Sequence, residues 1–167
     1  DLLSLLQSAQ NKKILDETAL EMMEGVLEIS RLQVRDIMIP RSQMVTIDIN
    51  QGVEDFLPIV IESQHSRYPV VTDNKDHVEG ILLAKDLLSY GFNFTDEAFS
   101  LSNVMRPAVI VPESKRVDVL LKDFRSNRYH MAIVVDEYGG VSGLVTIEDI
   151  LEEIVGEIED ETDHNED

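Results

Sequence analysis

The apolar period along the chain changes at Thr146. Before it, Met131-Ala132-Ile133-Val134-Val135 is an unbroken apolar run rich in branched side chains, which predicts a buried strand. Asp136 to Gly140 predicts a turn, with two glycines free to take positive φ, and Val141 to Val145 predicts the returning strand of a hairpin. After Thr146, residues Ile147, Ile150, Leu151, Ile154, Val155 and Ile158 recur at helical spacing with acids between them. The stretch reads as strand, turn, strand, helix, with Thr146 and Asp149 at the helix mouth.

The same order of elements occurs earlier. Val45-Thr46-Ile47 predicts a short strand, Val53 to Ser63 an amphipathic helix with Pro58 awkward inside it, and Tyr68 to Asp73 a buried strand. Asn74 to His77 then reads as a turn, Val78 to Leu82 as the returning strand, and Lys85-Asp86-Leu87-Leu88 as the opening of a helix. In the later copy, Val109-Ile110-Val111 and Val117 to Arg125 precede the Met131 strand. Asp136 echoes Asp73, Gly143 echoes Gly80 and Asp149 echoes Asp86, all at one separation, and Asn103-Val104-Met105-Arg106-Pro107 echoes Asp36-Ile37-Met38-Ile39-Pro40. Two matching units predict a pseudo-symmetric pair rather than a solenoid. The fold class is α/β (α+β): two β-α-β-β-α repeats at 34–92 and 101–156, joined by a polar and aromatic linker. A helical segment at 1–33 precedes them, and an acidic tail at 157–167 follows. The first segment resembles nothing later and reads as an appendage that docks on or links to the repeats. Its Met22 and Met23 read as packing residues.

Composition narrows the function classes. A net charge of −19 argues against binding nucleic acid through its phosphates. The chain has no cysteine, so it carries no disulfide framework and no thiolate chemistry. No apolar run approaches a membrane span, and no signal peptide is visible. Much of the acid lies in Glu157-Ile158-Glu159-Asp160-Glu161-Thr162-Asp163 and after, which reads as a solvated, disordered end of a piece of something longer. His65, His77, His130 and His164 are scattered, and no Ser-His-Asp arrangement, P-loop or metal-ligand cluster is visible, so an enzyme is not expected.

Thr146 and Asp149 admit two readings. Thr-x-x-Asp before an apolar helix is a capping box, in which hydroxyl and carboxylate satisfy amides of the first turn. The same mouth suits a nucleotide, because unpaired helix amides attract phosphate and a carboxylate accepts from ribose hydroxyls.

The residues resemble a tandem pair of CBS domains, and more closely those of the CorC family of magnesium and cobalt efflux proteins, related to the HlyC and CNNM groups. The likeness rests on Val34-Arg35-Asp36-Ile37-Met38-Ile39-Pro40-Arg41, on Ser66-Arg67-Tyr68-Pro69-Val70, and on the run from Asp136-Glu137-Tyr138-Gly139-Gly140 through Gly143 to Ile158. It implies two clefts between the repeats that take AMP or ATP, and a homodimer. In longer relatives it implies an N-terminal membrane domain and a small C-terminal one. It also implies a regulatory role in magnesium and cobalt homeostasis, beside a membrane transport protein, in the cytoplasm at the inner face of the cell membrane. The alternative is a scaffold that has lost its ligand, dimerises and docks a partner protein.

The two copies differ at the mouth. Where the second has Thr146 and Asp149, the first has Leu83 and Asp86, and leucine bonds neither phosphate nor ribose. One dominant nucleotide is therefore expected, at Thr146 and Asp149. By resemblance, Ile39, Pro40, Met44 and Val45 would hold its adenine. His130 faces phosphate or is a surface histidine; Arg67 binds phosphate bidentately or forms a surface ion pair; Ser66 and Arg128 are weaker candidates. Glu148, Asp149 and Glu152 would repel a bare triphosphate, so either the bound species carries little charge or a magnesium ion bridges ATP phosphates there. The apolar stripe from Ile147 to Ile158 looks too continuous for one repeat to cover, which also points to a homodimer.

Overall fold

Each repeat begins with a one-turn helix stopped by a methionine two residues before a proline. Helix α2 (Val34–Ile37) ends at Met38 and α5 (Leu101–Val104) at Met105, both extended in backbone and both donating their amide to the first residue of the helix. Pro40 and Pro107 follow, and cannot continue a helix. The computed structural model describes residues 2–5, 17–88 and 100–166, with the side chains of 88 and 157–166 excepted. The expected linker lies mostly outside the described residues.

In the first repeat, β1 (Ile39–Pro40) and a 3-10 turn at Arg41–Gln43 lead to β2 (Ile47–Asp48), α3 (Val53–Ser63), β3 (Arg67–Thr72), β4 (Asn74–Leu83) and α4 (Ala84–Leu88). In the second, β5 (Ile110–Pro112) leads to α6 (Val117–Asn127), β6 (Met131–Val135), β7 (Val141–Thr146) and α7 (Ile147–Glu166). The crossover strands pair in parallel with matching register, Ile47 opposite Val70 and Ile110 opposite Ile133. Both crossover helices end on a non-glycine residue in the left-handed region, Gln64 at φ 56° and Arg128 at φ 59°. One sheet runs β2-β3-β4 and the other β1-β7-β6-β5.

Four expectations shift. The turn placed at Asn74 to His77 is strand: Asp73 alone turns the chain, at φ 67°, and β4 starts at the next residue. The first short strand is Ile47–Asp48 rather than Val45 to Ile47. The residues read as a disordered acidic tail continue α7 as helix to Glu166. Met22 and Met23 are 42% and 39% exposed rather than packed away. Pro58 stays inside α3; it removes the bond to the carbonyl of Glu54, a residue in the exposed first turn.

The described residues group into two compact units that cut across the repeats. One takes residues from 1–38, 113–130 and 145–167, the other from 39–112 and 131–144. In the first unit, α1 (Glu17–Ile29) buries Leu20 and Ile29 and lies along α7. A Cβ on Gly25 would stand 2.5 Å from the Ile154 carbonyl oxygen, so glycine is what lets the two helix backbones meet. The segment before α6 is tied to the start of α2 by Val34 N–H to the Lys115 carbonyl at 2.8 Å, and Val117 N–H binds the Leu32 carbonyl at 3.0 Å. The second unit holds two apolar clusters. One gathers Ile47, Phe56, Tyr68, Val70, Leu82 and Leu101; the other gathers Met44, Ile81, Met131, Ile133, Val141 and Leu144.

Candidate functional site

Thr146 ends β7, and Asp149 stands in the first turn of α7. They form the reciprocal capping box that their spacing predicts. The Asp149 amide donates to Thr146 Oγ1 at 3.1 Å, and the Thr146 amide donates to Asp149 Oδ2 at 3.1 Å. The mouth is completed by the Ile147 amide, which donates to the carbonyl of His130 at 2.9 Å. These bonds use one lone pair of the threonine oxygen and one carboxylate oxygen. Neither bond engages the Thr146 hydroxyl proton or Asp149 Oδ1.

The first repeat's mouth is built differently. Leu83 packs its side chain on the second apolar cluster, and the Ala84 amide donates to the Ser66 carbonyl at 2.9 Å. Asp86 is taken by Arg106, whose Nε and Nη2 donate to its two oxygens at 3.3 Å each. Sequence reasoning missed this pair. Its only signal was the replacement of Ile39 in Met38-Ile39-Pro40 by Arg106 in Met105-Arg106-Pro107.

The remaining expected residues fall as follows. Ile39 and Met44 pack in one apolar cluster with Leu144, Val45 packs on the other cluster, and Pro40 is exposed. Strand β1 runs antiparallel to β7, Ile39 opposite Leu144 and Pro40 opposite Gly143. Ser66 is exposed and Arg67 half-buried at the start of β3, opposite Leu83, so both belong to the first repeat's mouth. His130 is exposed.

A clamp beside β1 was not foreseen. Arg41 in the 3-10 turn pairs with Asp76, which also accepts from the Val141 amide at 3.0 Å, while Lys75 Nζ donates to the Arg41 carbonyl at 2.9 Å. The Val141 amide holds the Asp76 carboxyl below the usual carboxylate range; partial burial opposes this, and the Arg41 charge adds to it. In the turn before β7, Asp136 Oδ1 accepts from the Tyr138 and Gly140 amides at 2.9 Å each, and Gly139 takes φ 82°.

A matched pair of strand-helix-hairpin-helix units with unequal helix mouths defines a tandem repeat module of the α/β class. Residues 34–93 and 101–156 match the CBS domain family, and residues 1–29 match the N-terminal region of NMB0537. The chain belongs to the CBS-domain family, as a tandem pair of its CNNM/CorC branch. The magnesium and cobalt efflux protein CorC of Salmonella typhimurium is 59% identical over 167 residues, and that of Vibrio cholerae is 60% identical over 167. These alignments cover 100% and 99% of this chain but 57% of each relative, so the chain spans little more than half the length of the curated relatives it matches. A conserved domain of unknown function from Neisseria meningitidis is 52% identical with a TM-score of 0.84, over 90% of this chain and 96% of that one. The CBS domain of a bacterial CNNM/CorC family Mg2+ transporter, in complex with ATP, is 43% identical with a TM-score of 0.76, over 81% and 96%. A CBS-domain pair with bound AMP from Klebsiella pneumoniae is 36% identical with a TM-score of 0.64, over 75% and 99%.

Proposed function

We propose that this chain is a regulatory adenine-nucleotide-binding module of a CorC-type protein that takes part in magnesium and cobalt efflux. The observation that carries the reading is the second repeat's mouth, where a capping box leaves a hydroxyl proton for phosphate and a carboxylate oxygen for ribose. Support comes from two similar domains, one described with ATP and one with AMP. Ile39, Pro40, Met44 and Val45 are the proposed adenine contacts. His130, whose carbonyl meets the Ile147 amide, is the proposed phosphate contact at this mouth; Ser66 and Arg67 lie at the first repeat's mouth and would meet phosphate only if that mouth took a nucleotide. Magnesium is the proposed bridge to ATP phosphates.

The role is regulatory rather than catalytic or conducting. Among the described residues no helix is long and apolar enough to cross a membrane. The proposed partner is a membrane transport protein, met at the inner face of the membrane. The test is calorimetric titration with AMP, ADP and ATP, with and without magnesium. One nucleotide per chain is expected; no heat with any of the three overturns the reading. In that case the ligand-free scaffold stands, a reading favoured by the fact that Thr146 and Asp149 already bond each other.

A homodimer remains part of the proposal, on a changed basis. Ile150 is fully buried and α1 lies along α7, so the apolar stripe is covered in part by this chain itself. Among the described residues, Leu151 of the stripe stays 46% exposed, and Val26 and Val119 on other helices of the same unit are 51% and 41% exposed. Light scattering at micromolar concentration is expected to give twice the chain mass, and a monomer there refutes it.

A further inference from the structure

We infer that Arg106 is a built-in occupant of the first repeat's mouth, and that it, more than Leu83, limits the chain to one nucleotide. The inference rests on the nucleotide reading of the second mouth. The two repeats place their leading segments in one register: Ile39 stands opposite Leu144, and Arg106 stands opposite Ile81. Leu144 and Ile81 each follow the echoed glycines, Gly143 and Gly80. Arg106 therefore holds, at the first repeat's mouth, the position that Ile39 holds beside β7. At that position the segment beside β7 carries a neutral apolar side chain, and the segment beside β4 carries a guanidinium.

The guanidinium is held for this contact. Arg106 exchanges two backbone hydrogen bonds with Ile81, 2.8 Å in each direction. Gly80 lets the segment approach closely, since a Cβ there would stand 2.7 Å from the Arg106 carbonyl oxygen and 2.9 Å from Met105 Sδ. With its backbone so fixed, Arg106 reaches both oxygens of Asp86 at 3.3 Å. Asp86 is the echo of Asp149, the carboxylate proposed to read a ribose. A two-pronged guanidinium uses both oxygens, whereas the Thr146 amide uses only one oxygen of Asp149. A ribose would have to displace a tethered cation and leave it unpaired. The Asp86 side chain is 21% exposed and that of Arg106 56%, so the displaced guanidinium would return to water, and what a ribose must overcome is the two-pronged contact itself.

The test counts AMP and adenosine bound per chain by calorimetry, with a thermal melt to show that each variant is folded. The main variant is Leu83→Thr/Arg106→Ile, which copies Thr146 and Ile39 into the first mouth. Because Leu83 packs in a core cluster, Arg106→Ile alone is the second variant, and Arg106→Lys is the control that keeps the charge. The wild type and Arg106→Lys are expected to bind one nucleotide, and the double variant two, with Arg106→Ile gaining a weaker second site. One nucleotide in the wild type and still one in both isoleucine variants overturns the role of Arg106 while leaving the nucleotide reading intact. None in the wild type but one in the double variant overturns the reading of the second mouth and upholds the occupant. None in any variant, or two in the wild type, overturns the inference.

Discussion

Asp149 carries two duties through two oxygens, so its removal should be felt in two measurements. One oxygen caps α7 and the other is free. Asp149→Ala should lower unfolding stability by about 0.5–2 kcal/mol through the lost cap. It should also weaken AMP about ten- to a hundredfold, the worth of a charge-assisted hydrogen bond. Asp149→Asn keeps a capping oxygen, so it should recover most of the stability while still binding more weakly. Asp86→Ala should leave affinity almost unchanged, because Asp86 answers to Arg106; equal losses from the two alanines would refute the asymmetry. A second residue-scale prediction concerns acid. The Asp76 carboxyl lies below its usual pKa when folded, first through the Val141 amide and then through Arg41. A depressed carboxyl adds stability that is fully present above its unfolded pKa and is lost as pH falls through the folded one. Melting temperature should therefore fall below about pH 4 partly on account of this group, whose unfolded pKa lies near there. Asp76→Asn should be less stable at neutral pH and show a shallower acid limb. An unchanged limb would show that the clamp does not titrate.

At the scale of elements, two glycines in helices make opposite predictions. Gly25 in α1 touches the Ile154 backbone, so a methyl group there meets carbonyl oxygen that cannot rotate away. Gly25→Ala gains about 1 kcal/mol in helix propensity but forces α1 off α7, and a net loss of about 1–3 kcal/mol is expected. Gly156 in α7 would place its Cβ 3.8 Å from the Glu152 side chain, an ordinary contact, so Gly156→Ala should stabilise by about 0.5–1 kcal/mol. Chemical denaturation of both variants checks this, and equal signs would mean that α1 does not depend on the close approach. The elements themselves were largely legible. The bounds of α3 and β6 follow from their apolar period, because each buries one face or the whole of a short run. The turn at Asn74 to His77 misled because polar residues there look like a loop. They belong to β4, the edge strand of the sheet β2-β3-β4, whose other side is bridged, among the described residues, only at Ile81, so half-exposed polar residues can lie in its first part. The Thr146–Asp149 contact was legible because its partners are three residues apart. The Arg106–Asp86 pair was not, because nothing local links residues twenty apart, and only the comparison of the two repeats exposes the arginine.

For the whole molecule the governing quantity is charge. The chain carries −19, and a cavity of about 630 Å3 in its first unit is lined by Glu21, Glu24 and Glu28 from α1 and by Asp149, Glu152 and Glu153 from α7. Asp149 is the residue proposed to read the ribose, so a phosphate chain extending from its mouth meets a negative field made by two helices, more than α7 alone supplies. Among the described residues no group of side chains is arranged to hold a metal ion by itself. A magnesium ion there would have to arrive with phosphate oxygens, keep several waters, and be met by the carboxylates through those waters. AMP would end near Thr146, where one phosphate could be answered by the hydroxyl and the positive end of the twenty-residue α7. ATP carries two more phosphates towards the acids. Removing magnesium with a chelator at fixed ionic strength should therefore weaken ATP by about tenfold or more, ~1.4 kcal/mol, and AMP by no more than about twofold. Because part of the repulsion is screened by simple salt, the gap between the two nucleotides should narrow as ionic strength rises past the point where the Debye length falls below about 8 Å. Glu24→Gln/Glu28→Gln on α1, away from the capping box, should narrow it as well. If ATP binds equally with magnesium and with chelator, the metal has no part in recognition, and the module responds to adenylate alone. If the gap persists in the α1 variant, the acids of α7 are enough to cause it, and α1 has no electrostatic share in the site.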